Sequence, residues 1–161
     1  MRFSTKIISF AAVPAILFVL GLASSIGSLV NTREEFDRYI NSEQAVERGL
    51  SEMYAQGLQM GQALRNVVLD PSNPRALENL KAAQSAYEAA YAQSAAIAKG
   101  TAFEPGLSQL PALRTIHAKT QEKVLALVAD KGDAVSVLNK EETPAWRELR
   151  GALLKQREVA V

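Results

Sequence analysis

The sequence predicts an all-α protein, an antiparallel up-down-up-down four-helix bundle preceded by one transmembrane helix. Three observations lead there. Breaker clusters divide residues 33–161 into helix-length segments. Those segments are rich in Ala, Leu, Glu, Gln, Lys and Arg, which favour helix at nearly every position. The chain also opens on a stretch free of charge from Ile7 to Thr32, behind a short basic head containing Arg2 and Lys6.

At ~1.5 Å rise per residue, the apolar part from Ile7 to Val30 is long enough as a helix to cross a hydrocarbon layer roughly 30 Å thick. A cleaved secretory signal is the competing reading, with Gly21-Leu22-Ala23 as a small-residue cut site. The uncharged run continues past Ala23 through Ile26, Leu29 and Val30 to Arg33-Glu34-Glu35, and that length favours an uncleaved anchor. Basic residues beside a span are retained in the cytoplasm. Arg2 and Lys6 precede this one, while Arg33 and Arg38 behind it are mixed with Glu34, Glu35 and Asp37. Residues 1–6 are therefore expected in the cytoplasm, 7–32 in the inner membrane and 33–161 in the periplasm. Pro14 is tolerable within a span, and Gly21 with Ser25 and Ala23 with Gly27 would let two such helices pack closely.

Composition excludes several functions. The chain carries a formal net charge of +1, and its basic head lies before the span, so the exported part is close to neutral and unsuited to nucleic acid. Cysteine is absent, which removes disulfides, thiolate metal sites and covalent haem attachment. His117 is the only histidine; paired with Met53 or Met60 it would make a haem or metal site, but no second histidine completes a ligand set. No metal and no cofactor are expected. No nucleophile-base constellation, Gly-rich phosphate loop or paired-carboxylate motif is discernible, so no catalytic residues and no enzyme activity are expected either.

The first helix of the exported part is expected from about Arg33 to Leu69, ended by Asp70-Pro71-Ser72-Asn73-Pro74. Its apolar residues make two neighbouring stripes, Leu50, Met53, Gly57, Leu64 and Val68, and Tyr54, Leu58, Gly61 and Leu69. The second starts after an Asn73 cap with Pro74 at its first position and runs to Gly100, burying Leu77, Leu80, Ala83 or Gln84, Tyr87 and Tyr91. After a loop from Gly100 to Gly106, the third begins near Ser108 or Pro111 with the stripe Leu110, Leu113, Ile116, Thr120, Val124 and Leu127, and stops around Asp130-Lys131-Gly132-Asp133. The fourth opens with a short turn from Ala134 to Leu138 and restarts at a Thr143 cap followed by Pro144, burying Ala145, Leu149, Leu153 and Gln156. Glu34-Glu35 and Lys140-Glu141-Glu142 read as solvated faces.

Lengths do not match in this scheme. The first helix climbs about 55 Å, whereas Pro144 to Val161 descends only about 27 Å. The fourth helix is therefore expected to be truncated, and the chain to be the N-terminal fragment of a longer protein.

Two stretches, MGQALRNVVLDPSNPRALENLKAA from Met60 to Ala83 and LNKEETPAWRELRGALL from Leu138 to Leu154, together with the N-terminal span, resemble the sensory region of bacterial methyl-accepting chemotaxis receptors. The resemblance covers essentially the whole chain. Related bundles also serve histidine kinases and cyclic-di-nucleotide cyclases, and a membrane-tethered structural bundle is the rival of another class. The resemblance implies a homodimer through the first helix that binds a small molecule at the membrane-distal end of the bundle. It also implies that a shift of the fourth helix is passed to a cytoplasmic kinase and its adaptor.

In that frame the distal end brings Arg65 and Asn66 together with Thr143, Trp146, Arg147 and Arg150. Arginine grips a carboxylate with paired charge-assisted hydrogen bonds, and a helix N-terminus offers unpaired amides to an anion. An organic acid or amino acid is the expected ligand. Aspartate-type members hold their ligand with several first-helix arginines and a fourth-helix threonine; here only Arg65 and Thr143 stand at such positions. The plainer role for Arg65 is an ion pair with Asp70 or Glu142. Trp146 is either a buried anchor of the fourth helix or a stacking platform for the ligand. Gly57 and Gly61, each costing roughly 1 kcal/mol of helix propensity relative to Ala, call for close approach of another helix, and the two stripes favour a dimer partner over this chain's fourth helix.

Overall fold

The computed structural model describes the backbone from Phe3 to Val159, and the side chains of those residues apart from 3–11, 13, 38, 39 and 159. Arg2 lies outside the described residues, and only the backbone of Lys6 is described. Among the described residues every regular element is helical. The chain divides into two compact units, Met1–Asn41 and Ser42–Val161.

The first unit is formed by α1, Phe3–Arg38, which contains Pro14. It is long and apolar enough to cross a membrane by length and composition. Ile16, Phe18, Leu20, Ile26 and Leu29 are exposed. Where charge returns, spacing-of-four contacts on the helix surface take over, Asn31 Nδ2 donating to Glu35 Oε1 at 3.2 Å and Arg33 lying 3.9 Å from Asp37. Tyr39–Glu43 form a π-helical turn.

The second unit contains α2 (Gln44–Leu69), α3 (Pro74–Ala98), α4 (Glu104–Leu107), α5 (Leu110–Ala129), α6 (Ala134–Val137), a π-helical turn over Leu138–Glu142, and α7 (Thr143–Val159). The expected breakers act as predicted at three places. After Leu69 the Ser72 backbone N–H and hydroxyl both donate to Asp70 Oδ1, at 3.2 and 2.6 Å, and Asn73 Oδ1 accepts from Arg75 N–H at 3.1 Å to cap α3. Gly100 follows α3 in the left-handed region, φ +77°, the conformation that favours glycine. Lys131 takes φ +52° behind α5, and Gly132 N–H then donates to Leu127 O at 2.7 Å, tying off the helix end. The loop expected from Gly100 to Gly106 contains the single turn α4, whose Leu107 is buried in the core.

α2 packs on α3 and α7, and α5 packs on α7, the π turn and α2. The core between them holds Leu50, Met53, Met60, Leu64, Leu80, Tyr87, Leu110, Val124, Leu149 and Leu153, together with Trp146. Fully burying a side chain of Leu or Met size contributes about 1.5–3 kcal/mol, so this cluster supplies the main driving force. Most of the expected α2 stripe is buried, while Leu58 and Leu69 face solvent. On α3, Leu77 is exposed and Ala76 takes its place inside.

Two expectations are corrected. The fully buried face of α5 is Leu110, Arg114, His117, Gln121 and Val124; of the expected stripe, Leu110 and Val124 are buried and Leu113 and Leu127 pack against the core, but Ile116 is 51% exposed. Three polar side chains stand on this face, His117 and Gln121 with partners from other elements inside and Arg114 with the exposed Glu88. The fourth segment opens at Ala134 as expected but does not restart at Thr143. Asp133 Oδ1 accepts from Ser136 N–H at 3.0 Å and caps α6, and helical structure then runs on through the π turn into α7. Thr143 has helical dihedrals, φ −61° and ψ −42°, and its N–H donates five residues back to Leu138 O. Its hydroxyl donates to the same carbonyl at 2.9 Å. Pro144 has no N–H for the carbonyl four residues back and its ring crowds that carbonyl; widening the preceding turn relieves both. Counted from Ala134 to Val159, this segment spans about 39 Å, as does the 26-residue α2.

Candidate functional site

The π turn has a consequence for what points inward. Residues four apart in a regular α-helix drift around its axis, by about 120° over three such steps. Through the wider turn Ala134, Leu138, Glu142 and Trp146 all stay buried. Glu142 is thereby carried into the core at 1% exposure, which corrects its reading as part of a solvated charged string, while Glu141 remains outside and pairs with Lys123 at 2.6 Å.

Inside, Glu142 Oε1 meets His117 Nε2 at 2.9 Å. An ionised carboxylate only accepts, so in that state Nε2 carries the proton and donates. With Nε2 donating, the Gln121 amide nitrogen 3.3 Å away is a second donor and only packs beside it, while Gln121 Oε1 accepts from Gln84 Nε2 at 3.1 Å. Two polar contacts thus join α3 to α5 and α5 to the π turn. His117 Nδ1 is buried without a hydrogen-bond partner. The centre of the His117 ring lies 5.6 Å from that of Trp146, and the Tyr54 ring centre lies 6.3 Å from it.

One turn before His117 on the same face, Arg114 donates from Nε to Glu88 Oε1 at 3.1 Å. Its Cζ stands 5.5 Å from the centre of the Tyr87 ring, within cation–π range. Arg114 is 7% exposed and Tyr87 1%. Burial pushes the Tyr87 phenol above its ordinary value of 10.0, the Arg114 guanidinium pulls it down, and Glu88 and Tyr91 add to the upward push. Both Arg114 Nη1 and the Tyr87 hydroxyl are buried without a partner.

The residues expected to form the site are not brought together. Arg65 and Asn66 are exposed near the end of α2, with the Arg65 guanidinium folded back over Gly61. Neither Asp70 nor Glu142 holds Arg65: Glu142 is taken by His117. Trp146 is 8% exposed and lies against the Gly57 backbone, about 12 Å along α2 from Arg65. Gly57 therefore answers to α7 of this chain. Thr143 is half-buried with its hydroxyl spent on Leu138 O, and Arg147 and Arg150 are exposed on α7. Because α7 continues from the π turn, Thr143 marks no set of free amides for an anion. Sequence reasoning missed Arg114, Gln121 and Glu142. The available signal was the run of 110, 114, 117, 121 and 124, alternating steps of four and three, which is a helix-packing period with polar members in the middle.

Among the described residues no group of three or more His, Asp and Glu side chains is arranged to hold a metal ion. The polar core offers instead hydrogen-bond donors with nothing to donate to. No family model matches this chain, and neither a curated protein nor a solved structure matches it.

Proposed function

We propose that this chain is the sensory region of a transmembrane receptor of the methyl-accepting chemotaxis kind. In this reading α1 anchors it in the inner membrane with its N-terminus in the cytoplasm, and the second unit is an antiparallel up-down-up-down four-helix bundle in the periplasm that works as a homodimer. The bundle binds a small carboxylate and passes a displacement of α7 to a cytoplasmic domain that controls a kinase.

The observation that carries the reading is the pair of polar contacts Gln84–Gln121 and His117–Glu142 between the helices, the first tying α3 to α5 and the second tying α5 to the π turn. A bundle selected for stability alone is served as well or better by apolar side chains in these places, since burying charged and polar partners costs desolvation that their mutual attraction barely offsets. A bundle that must report on a ligand needs helices able to exchange one set of specific contacts for another. π turns inside helices recur at such places. A ~1–2 Å shift of α7 is in the known range for signalling helices, and it would act directly on Trp146, which is seated on the Gly57 backbone.

Two measurements test this. The full chain, expressed in a bacterium, should stay with carbonate-washed membranes and be digested by protease from the periplasmic side only. Purified in detergent, its melting temperature should rise with at least one member of a panel of organic and amino acids. Recovery in the soluble fraction, or protection from periplasmic protease, overturns the anchor and its orientation. A panel that leaves the melting temperature unmoved overturns the carboxylate sensor.

A further inference from the structure

Between α3 and α5 lies a cleft of about 330 Å³ bordered by Tyr87, Glu88, Tyr91, Arg114, Lys119 and Glu122. Its size is at the lower end of small-molecule sites, enough for one ring or a short branched chain. What separates it from an ordinary surface recess is the state of two of its walls. Arg114 is more than nine-tenths buried and its Nη1 has no acceptor; Tyr87 is almost wholly buried and its hydroxyl has no partner. Leaving a buried donor unsatisfied costs about 1–3 kcal/mol, more for a charged group. The two side chains border the same cleft, with the guanidinium carbon 5.5 Å from the Tyr87 ring centre, and their unpaired donors define what would satisfy them. It is a compact group with at least two acceptor oxygens.

Charge narrows the class. Arg114 and Lys119 contribute two positive charges around the cleft, and Glu88 and Glu122 two negative ones. Glu88 already takes Arg114 Nε. A phosphate or dicarboxylate would meet both glutamates with its second charge, whereas one carboxylate uses the guanidinium fork and adds a single charge. The remaining wall, with the Tyr91 ring, Leu110 and Pro111, is apolar. We infer that the α3–α5 cleft binds a monocarboxylate with a compact apolar body, its carboxylate held by Arg114 and the Tyr87 hydroxyl. The inference gives a place and a ligand class to the proposed sensor, and rests on that reading for its biological use. Arg114 and His117 share one face of α5, so a ligand drawing on Arg114 is one turn from the His117–Glu142 pair that grips the π turn.

Benzoate is the probe, with benzamide as its uncharged counterpart, each titrated into the full chain in detergent by calorimetry. Benzoate should bind saturably and at least ~tenfold more tightly than benzamide, the factor expected when one charge-assisted hydrogen bond is made or missing. Glu88→Gln changes a mostly exposed side chain, keeps its shape and removes a negative charge that competes for Arg114; it should tighten benzoate binding ~threefold or more and leave benzamide unchanged. Arg114→Gln should weaken benzoate by ~tenfold or more, and Tyr87→Phe by a smaller factor. Should Arg114→Gln not fold, the Glu88→Gln result decides. Equal affinity for the two probes, an unchanged or weaker benzoate affinity in Glu88→Gln, or a loss in Arg65→Ala that Arg114→Gln does not show, overturns the site. The last result leaves the sensor reading standing with its site elsewhere; benzoate bound in the cleft of a chain that does not fractionate with membranes overturns the sensor reading and leaves the cleft.

Discussion

His117 Nε2 and Glu142 Oε1 lie 2.9 Å apart with side chains 0% and 1% exposed. The neighbouring glutamate makes a pair of similar length, Glu141 with Lys123 at 2.6 Å, but both partners are about half exposed. Solvent decides the difference between them, since an exposed pair contributes about 0–1 kcal/mol while a buried partner left alone must bear its own desolvation. Glu141→Leu should therefore change unfolding free energy by less than about 1 kcal/mol, and Glu142→Leu should lower it by about 3 kcal/mol. The double substitution His117→Leu with Glu142→Leu should recover more than half of that loss, because it removes both polar groups at once. Urea unfolding of the parent, His117→Leu, Glu142→Leu and the double variant closes the cycle. Losses that simply add would show that the two side chains do not act as a pair.

Gly57 and Gly61 stand one turn apart on α2 and should respond in opposite directions to alanine. A Cβ on Gly57 would overlap the six-membered ring of Trp146, which is pinned by Tyr54 and His117. A Cβ on Gly61 meets only the end of the flexible Arg65 side chain, at 3.1 Å. Alanine gains up to about 1 kcal/mol of helix propensity at either site, and overpacking a fixed aromatic costs about 1–3 kcal/mol. Gly57→Ala should thus be destabilising and Gly61→Ala neutral or stabilising, read as melting temperatures in opposite directions from the parent. A gain at Gly57 would mean that Trp146 moves aside without cost.

Much of this fold was legible because its element ends are set by local chemistry. Asp70-Pro71-Ser72-Asn73-Pro74 ends one helix and caps the next using only its own side chains, and no distant contact could alter that reading. The α5 face was not legible in the same way. Counting apolar residues turns Arg114, His117 and Gln121 outward, and they are inside because Glu88, Glu142 and Gln84 come to meet them from other elements. Thr143-Pro144 carries the same local signature as Asn73-Pro74, yet it sits in mid-helix. Asp133 had already capped the segment, and the π turn absorbed the proline. That single misreading moved the apparent start of the continuous helical run of the fourth segment by about 13 Å and placed Trp146 at the wrong level of the core.

The Asn73 cap gives a compact check of the α2–α3 turn. Its Oδ1 accepts from Arg75 N–H at 3.1 Å, one of the donors that a helix start leaves unpaired. Asn73→Ala should cost about 1 kcal/mol in urea unfolding and Asn73→Gly only a few tenths. Equal losses would point to the Asn73 side chain serving something other than the cap.

Tyr87 supplies the alkaline limb of the stability profile. Its phenol is held above the ordinary 10.0 by burial, opposed by Arg114. Below pH 10 the hydroxyl is protonated in folded and unfolded chains alike, so it gives no pH dependence. Above pH 10 the unfolded chain releases the proton and the folded chain keeps it, so the unfolded state binds fewer protons and stability falls as pH rises. The loss can reach about 1.4 kcal/mol per pH unit until the folded phenol also ionises. Tyr87→Phe keeps the ring under Arg114 and removes both this ionisation and an unpartnered buried hydroxyl. Near pH 7 the variant should match or exceed the parent by up to about 1 kcal/mol, and its advantage should widen steadily above pH 10. Parallel profiles of the two proteins from pH 7 to 11.5, with other tyrosines and lysines common to both, isolate this one group; a difference that stays constant through pH 10 would mean that the phenol ionises as readily in the folded chain as in the unfolded one.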